Sequence, residues 1–254
     1  MKIGIQTRPW GPDMNQQNLG QILAEIAATG YDGLEIGAQH LDISRPQPFG
    51  RLVADHGLQV VGIHVGGEIY DPQSVREALD NLERTVVFAA EVGVPFLPFS
   101  GRLKPDKTKV DHRRQAESLN RIGQLCSDYG VRLCYHNHFW EIENDCAELS
   151  YLCEHTDPDL VWLCLDVGWV ERAGGSPVAV ASKFLDRVAY FHLKDTKDDV
   201  WMEVGHGTVD FAGLFQLVTG RDLAWSVVEQ DETQRAPLES ARLSREYLKG
   251  QLGV

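Results

Sequence analysis

The sequence predicts a single (β/α)8 barrel domain, a TIM barrel, spanning residues 1–254. Three observations support this prediction: the length, a repeated alternation of amphipathic and apolar segments, and ionisable residues at the ends of the apolar segments. The chain has 254 residues, of which 43% are hydrophobic and 24% are charged. This is a globular composition, and α/β barrels commonly reach about 250 residues without dividing into domains. No linker or low-complexity tract marks a domain boundary.

An amphipathic stretch, a glycine and a short apolar run recur along the first half of the chain. The runs are YDGLEIG, LQVVGIH, VPFLPFS and VRLCYHNH, and they follow Gly30, Gly57, Gly93 and Gly130. Helices often end in a left-handed turn at glycine, so each junction predicts a helix, its cap and a strand. The glycines are 27 to 37 residues apart, which is enough for a strand, a helix and two loops.

The second half of the sequence keeps this alternation of amphipathic stretches and apolar runs but lacks the glycine between them. Apolar runs LVWLCLD, RVAYFHLK and LAWSVVEQ alternate with predicted helices such as 176–186 and 209–219, and KIGIQ at the start completes eight candidate strands. Strands this apolar on both faces are typical of parallel sheets covered by helices. Eight such units favour a closed barrel. The alternative is an open doubly wound sheet, but no GxGxxG follows the first strand as a dinucleotide-binding fold would suggest.

Charge and cysteine content restrict the partners. The formal net charge of −13 opposes binding to the phosphates of nucleic acid. The start lacks the long apolar stretch of a secretion signal, and no segment reaches the length of a membrane span. Five cysteines form no CxxC pair, and an odd number suits a reducing compartment. We therefore expect a cytoplasmic protein with a small-molecule ligand and no nucleic-acid or membrane partner; a homo-oligomer is compatible with these features.

Ionisable residues stand at the C-terminal ends of six apolar runs. These residues are Glu35, His64, His136 with His138, Asp166, His192 and Glu229. In a parallel barrel these ends share one face, and that face carries the active site. Each residue alone has an ordinary explanation, such as helix capping by Asp166 or a surface ion pair for Glu229. Together they would bury several charges at one mouth, which is costly unless they are paired or bind an ion.

Two imidazoles and two carboxylates predict a divalent metal site. The expected ligands are His136, Asp166, His192 and Glu229. His138 is the alternative to His136, because both have the same parity on their strand. Mixed nitrogen and oxygen ligands suit Mn, Co, Fe or Zn, with Mn the first expectation, whereas Ca and Mg favour oxygen alone.

Such a site suits proton transfer next to a carbonyl group. A metal that holds a carbonyl and a neighbouring hydroxyl makes the intervening C–H acidic and stabilises the enediolate. A carboxylate or imidazole then takes and returns the proton, and the candidates are Glu229, His136 and His138. This chemistry gives isomerisation, epimerisation or elimination.

The ordered motifs resemble the sugar phosphate isomerase/epimerase superfamily, the xylose isomerase-like barrels that include inosose dehydratases and ketose 3-epimerases. The motifs are YDGLEIG, CYHNHFWEIE, LCLDVGWVERAG, FHLKD, VGHGTVDF and VVEQD, and they cover nearly the whole chain. The resemblance implies metal ligands at Asp166, His192 and Glu229, with Glu229 also acting in proton transfer. His136 stands where the family usually has a glutamate that serves as ligand and base, which resembles the dehydratase-like branch.

Several further residues are expected to contact the substrate. They are Glu35, His64, Glu141, Trp169, Lys194 and His206. Trp169 and His206 depart from the family pattern, which usually has a histidine and an acidic residue at these places. Glu141 is also placed to orient one of the histidines. Lys194 and Arg102 are candidates for an oxyanion site, although an ion pair with Asp195 is an alternative for Lys194.

The leading hypothesis is a metal-dependent isomerase, epimerase or dehydratase that acts on a keto-sugar or cyclitol through an enediolate. One alternative is a non-catalytic barrel that binds a sugar or serves as a subunit of a larger complex. Another is an endonuclease IV-like phosphodiesterase, which the acidic charge opposes.

Overall fold

Parallel strands alternate with helices along the chain. The computed structural model describes residues 1–11, 14–15 and 17–254, without the side chains of 72–74, 77–78 and 252. The barrel strands are β1 (Lys2–Gln6), β2 (Gly33–Gly37), β3 (Gln59–Gly67), β4 (Phe96–Gly101), β5 (Arg132–His136), β6 (Val161–Asp166), β7 (Val188–Leu193) and β10 (Trp225–Val228). Between β7 and β10 lies an antiparallel hairpin of β8 (Asp195–Lys197) and β9 (Val200–Met202).

Helices cover the outside of these strands. They are α1 (Leu19–Thr29), α2 (Pro46–Asp55), α3 (Pro72–Val92), α4 (Lys109–Asp128), α5 (Glu143–His155), α6 (Val167–Arg172), α7 (Pro177–Phe184), α8 (Phe211–Leu217) and α9 (Pro237–Leu252). Within the described part of the chain, no helix combines the length and apolar character that crossing a membrane requires.

The eight parallel strands close into a barrel in the order β1-β10-β7-β6-β5-β4-β3-β2. Closure occurs between the first and last barrel strands, where Lys2 pairs with Trp225 and Ile5 pairs with Val228. The predicted TIM barrel is therefore confirmed, and the open doubly wound alternative is wrong. Closure brings the C-terminal ends of all eight strands to one face.

The four predicted glycine junctions have the expected backbone. Gly30, Gly57, Gly93 and Gly130 have φ values of 81°, 72°, 79° and 73°. This is the left-handed region, which glycine enters without the steric cost of a Cβ. At the first junction the Gly30 N–H donates to the Ala27 carbonyl and ends α1.

An apolar cluster fills the barrel interior below the polar face. Its members include Cys134, Cys164, Tyr190 and Val227. Each lies two residues before a predicted metal ligand, and alternate residues of a strand point to the same side of the sheet. The two-residue period therefore places the ligands inside the barrel, directly above this apolar floor.

Two of the predicted strand ends are wrong. β2 continues two residues beyond Glu35, and β3 continues three residues beyond His64, because pairing extends through Gly37 opposite His64 and Gly67 opposite Gly101. His138 lies outside a strand, because β5 ends at His136. Its parity with His136 therefore does not determine where its side chain points.

Candidate metal centre and active site

Four of the expected site residues converge at the barrel mouth. His136, Asp166, His192 and Glu229 each offer one ligand atom, and these atoms all lie within 4.8 Å of one another. All four residues are buried. They come from β5, β6, β7 and the residue after β10, which are adjacent strands of the barrel.

Two atoms of this cluster lack hydrogen-bond partners among the residues that the structure describes. His136 Nε2 lies 3.3 Å from Asp166 Oδ2 and 3.4 Å from Glu229 Oε2. Neither His136 Nε2 nor Asp166 Oδ2 has an aligned hydrogen bond, although both atoms are buried. Leaving a buried polar atom unpaired costs about 1–3 kcal/mol. Two imidazole nitrogens and two carboxylate oxygens at this separation fit a divalent transition metal.

Asp166 has one oxygen that serves the fold and one that faces the cluster. Its Oδ1 accepts from the Trp169 backbone N–H at 2.9 Å and caps α6. The Asn137 amide brackets the Asp166 backbone, accepting from its N–H at 2.9 Å and donating to its carbonyl at 3.2 Å. The helix-cap explanation for Asp166 is therefore correct, and its other oxygen, Oδ2, faces the ligand cluster and Lys194.

Lys194 is a buried cation beside the proposed ligands. Its Nζ donates to Asp231 Oδ2 at 2.9 Å. The same atom lies 2.9 Å from Glu229 Oε2 and 3.1 Å from Asp166 Oδ2. The rings of Trp169 and Trp201 cover the ammonium, with centroids 5.1 and 4.8 Å away. Lys194 thus balances three carboxylates at the base of the site.

The alternative ion pair between Lys194 and Asp195 is wrong, because the Asp195 carboxylate is occupied by backbone N–H groups. Oδ2 accepts from Gly205 and Gly207 at 2.9 and 2.8 Å. Oδ1 accepts from Thr196 at 2.9 Å and Val209 at 3.1 Å. A Cβ on Gly207 would lie 2.2 Å from Asp195 Oδ1, so this close approach requires glycine. The bonds hold the 205–209 loop against β8.

His206 lies in this loop. Its side chain is exposed, and it belongs neither to the metal-ligand cluster nor to the lining of the adjacent cavity. The structure therefore does not bring His206 to the site, and its substrate contact stays a prediction.

Charges within the cluster shift several pKa values. Burial raises the pKa of Glu229, but the nearby Lys194 ammonium and His192 outweigh burial and hold that pKa well below its usual range. Burial lowers the pKa of Lys194, but Asp166 and Glu229 outweigh it and raise that pKa. Glu229 is therefore ionised and Lys194 is charged near neutral pH.

His138 stands apart from the four converging residues. Its ring stacks on Trp140, with centroids 4.3 Å apart and planes 7° from parallel. Burial and the nearby His136 and Lys194 charges lower its pKa to about 2, so the ring is neutral. Its Nδ1 is buried without a hydrogen-bond partner, as is Trp140 Nε1. This placement favours His136 as the ligand and His138 as a substrate contact.

A cavity of about 850 Å³ opens beside the cluster. It adjoins the cluster at Ser100, whose hydroxyl lies 3.3 Å from His136 Nδ1. Its lining is mostly polar and consists of Gln6, Thr7, Arg8, Gly37, Gln39, His40, His64, Val65, Gly66, Ser100, Gly101, Arg102, Leu103, His138 and Trp140. This volume is within the range of small-molecule sites.

The sequence analysis missed several cavity residues. Ser100 stands near the end of an apolar run, where the strand-end rule that selected the histidines also applies. Gln6 ends the first run and Thr7 follows it directly, so the same rule selects both. No sequence signal indicated Arg8, because the position of its side chain depends on an ion pair between its Nε and Asp231 Oδ1 at 2.8 Å.

Besides His206, four expected substrate contacts lie outside the cavity lining, namely Glu35, Glu141, Trp169 and Lys194. Glu35 is fully buried beneath the histidines, and Trp169 covers Lys194. Glu141 is also fully buried, and it accepts from the Tyr135 hydroxyl at 2.6 Å and the His138 backbone N–H at 2.7 Å. Its carboxylate therefore holds the backbone of the segment that carries His138, and its expected role in orienting a histidine stays a prediction.

The fold and the site together define a class of barrel, and comparison with known proteins agrees. Residues 23–251 match the family described as Xylose isomerase-like TIM barrel. The chain belongs to this family.

Full-length relatives are distant in sequence. Inosose dehydratase of Clostridium tetani is 24% identical, and the match covers 100% of this chain and 98% of the relative. A sugar phosphate isomerase/epimerase from Parabacteroides distasonis has a TM-score of 0.83 at 22% identity, covering 98% of this chain and 94% of that one. The structure of L-ribulose 3-epimerase has a TM-score of 0.84 at 19% identity, covering 99% and 94%. The structural similarities establish the fold.

Proposed function

We propose that this protein is a divalent-metal-dependent enzyme that removes a proton next to the carbonyl of a keto-sugar or cyclitol. Dehydration of an inosose is the leading reaction, because an inosose dehydratase matches this chain along nearly its whole length. Epimerisation or isomerisation is the alternative, because the similar solved structures include an epimerase. The main support for the proposal is that four ligand atoms converge beside a polar cavity. Two of these atoms are buried without a hydrogen-bond partner among the described residues.

Two histidines and two acidic residues would hold the metal. They are His136, Asp166, His192 and Glu229. Mn²⁺ is the first ion to test, followed by Co²⁺, Fe²⁺ and Zn²⁺, because imidazole nitrogen and carboxylate oxygen suit these ions. When bound, such an ion supplies Lewis-acid polarisation of a substrate carbonyl.

The side chains around the proposed ligands supply the proton transfers. Glu229 is ionised, so it is in the state required to accept the proton from carbon. Lys194 is charged and lies 2.9 Å from Glu229, so its positive charge would stabilise negative charge that develops on the substrate beside the ligands. In a dehydration, the β-hydroxyl then leaves as water after taking up a proton. His138, neutral and with an unpartnered Nδ1, is the second candidate for moving a proton.

The cavity suits a polyhydroxylated substrate. The unpartnered Trp140 Nε1 and His138 Nδ1 offer hydrogen bonds to hydroxyl groups. Arg8 and Arg102 add positive charge to the lining, within a chain of net charge −13. These groups recognise oxygen-rich ligands, and a flat apolar compound would leave them unsatisfied.

A solvent-exchange experiment tests the proposal. Protein reconstituted with each ion is incubated in D2O with an inosose or with keto-hexoses, and deuterium uptake and enone absorbance are followed. Enone formation indicates dehydration, whereas deuterium uptake without loss of water indicates epimerisation or isomerisation.

The matched controls are two aspartate variants. Asp166→Asn removes a proposed ligand and should abolish turnover. Asp186→Asn changes a surface carboxylate whose side chain is 91% exposed and should leave turnover unchanged. Failure of every ion and every substrate to give exchange or product would contradict the catalytic assignment.

A further inference from the structure

A chain of hydrogen bonds connects the two histidines of the proposed metal site through the barrel interior. His192 Nε2 lies 3.0 Å from Glu35 Oε2, and His64 Nδ1 lies 3.0 Å from Glu35 Oε1. His64 Nε2 lies 2.8 Å from Ser100 Oγ, which lies 3.3 Å from His136 Nδ1. Glu35 thus contacts one histidine directly and the other through two intermediates.

Glu35 determines where protons lie along this chain. Its Oε2 lies against His192 Nε2 and its Oε1 lies against His64 Nδ1, and a carboxylate in this position accepts hydrogen bonds from both rings. His192 Nε2 and His64 Nδ1 must therefore both carry hydrogen. The Tyr190 hydroxyl also donates to Glu35 Oε2 at 2.8 Å, which further fixes the carboxylate.

The remaining proton positions follow in order. A neutral His64 ring with its hydrogen on Nδ1 has its lone pair on Nε2, so Nε2 accepts from the Ser100 hydroxyl at 2.8 Å. A hydroxyl that has donated its hydrogen can only accept from the other neighbour, so the Ser100 oxygen accepts from His136 Nδ1–H. The lone pair of His136 is then on Nε2. In His192, Nε2–H is committed to Glu35, so Nδ1, which shares its hydrogen with Glu229, is the nitrogen that would give up its hydrogen to bind a metal.

These two nitrogens are the atoms that face the carboxylates. His136 Nε2 is 3.3 Å from Asp166 Oδ2, and His192 Nδ1 is 2.9 Å from Glu229 Oε2. The nitrogen that faces the proposed metal site is therefore Nε2 in His136 and Nδ1 in His192.

We propose that Glu35 is a positioning residue that sets the tautomers of both metal-binding histidines, of His192 directly and of His136 through His64 and Ser100. This inference rests on the proposed metal site. Glu35 is 0% exposed, and a Cβ on neighbouring Gly62 would lie 3.2 Å from its Oε2, so the carboxylate is tightly enclosed. Hydrogen-bond partners of ligand histidines fix the tautomer and ring orientation, and losing such a partner typically weakens metal affinity about 10–100-fold.

The direct test is NMR of protein labelled with 15N-histidine, using long-range 1H–15N correlations. In the metal-free protein near pH 7.5, His64 should be neutral with its hydrogen on Nδ1. In the zinc-loaded protein, His136 should bind through Nε2 and His192 through Nδ1. A role in packing alone would not determine these proton positions.

Variants of Ser100 separate the two branches of the hydrogen-bond chain, the one that reaches His136 and the one that reaches His192. Ser100→Ala should disturb the His136 signals, leave His192 unchanged and weaken zinc affinity about tenfold in competition with a chelating dye. Ser100→Thr retains the hydroxyl and should restore both the spectrum and the affinity. Glu35→Gln should alter both histidines, because its amide offers one acceptor where the carboxylate offered two.

Two results would overturn the inference. One is His64 carrying its hydrogen on Nε2 in the metal-free protein. The other is Ser100→Ala leaving the His136 spectrum and the zinc affinity unchanged. Absence of zinc binding by the unaltered protein would instead contradict the proposed metal site, and the His64 measurement would still decide the proton order in the chain.

Discussion

At the scale of single residues, the site combines buried charges that balance one another with two atoms that have no hydrogen bond among the described residues. Lys194 supplies positive charge to Glu229 and Asp166, while His136 Nε2 and Asp166 Oδ2 remain without hydrogen bonds. Leaving a buried polar atom without a hydrogen bond costs about 1–3 kcal/mol. A divalent cation would therefore add stabilisation that the protein groups alone do not supply.

Lys194→Met tests this charge balance. The substitution leaves buried carboxylates without their cation and should cost about 3–5 kcal/mol of unfolding free energy in metal-free protein. Added Mn²⁺ should recover more stability in this variant than in the unaltered protein, because the ion replaces the lost charge. Chemical denaturation with EDTA or Mn²⁺ measures both effects. Lys183→Met, on the exposed part of α7, is the matched control. An equal effect of Mn²⁺ on both proteins would argue against the account.

Glu141 predicts a pH dependence. Burial and Glu148 raise its pKa from 4.5 to about 7. The folded state therefore favours the protonated form, so this contribution to stability is fully present below about pH 4.5 and is lost as the pH rises to about 7. Glu141→Gln does not titrate, so its stability relative to the unaltered protein should rise by up to about 3 kcal/mol across this window.

Denaturation in EDTA at several pH values between 4.5 and 8 measures that difference. Glu154→Gln, an exposed change on α5, is the control and should give a curve parallel to that of the unaltered protein. A parallel curve for Glu141→Gln as well would refute the assignment.

At the scale of elements, β-strand ends and the loops after them carry the site. The 205–209 loop is held by Asp195, which accepts four backbone N–H groups. Asp195→Ala would leave several of these donors unsatisfied and should lower the unfolding free energy by about 3 kcal/mol or more. Denaturation of this variant beside Asp186→Ala, an exposed aspartate, checks the effect. Equal stability of the two variants would show that the Asp195 contacts contribute little.

The sequence predicted best those features that depend on a residue and its near neighbours along the chain. Glycine at a helix end and apolar residues on both strand faces led to the barrel, and strand order then brought His136, Asp166, His192 and Glu229 together. The sequence was less informative about Glu35 and His64, because where a strand stops depends on pairing with its neighbours. It also suggested the wrong partner for Lys194, since Asp195 is adjacent in sequence whereas Asp231 is adjacent only after folding.

At the scale of the whole molecule, a closed barrel combines a rigid apolar floor with a polar mouth. The floor below the ligands contains residues such as Tyr190 and Phe96, whose rings stack at 4.8 Å. Such packing limits rearrangement, because protein interiors are as dense as organic crystals. The cavity beside the ligands, about 850 Å³, leaves room for a substrate next to the proposed metal.

The central claim is that His136, Asp166, His192 and Glu229 bind one divalent metal. Mass-spectrometric metal analysis of protein reconstituted with Mn²⁺, Co²⁺, Fe²⁺ or Zn²⁺ and then dialysed tests it most directly, run beside His136→Ala and His138→Ala. We predict near-stoichiometric metal in the unaltered protein and in His138→Ala, and loss of metal in folded His136→Ala. Retention by His136→Ala with loss from His138→Ala would reverse the ligand assignment, and no metal in the unaltered protein with any ion would contradict the account.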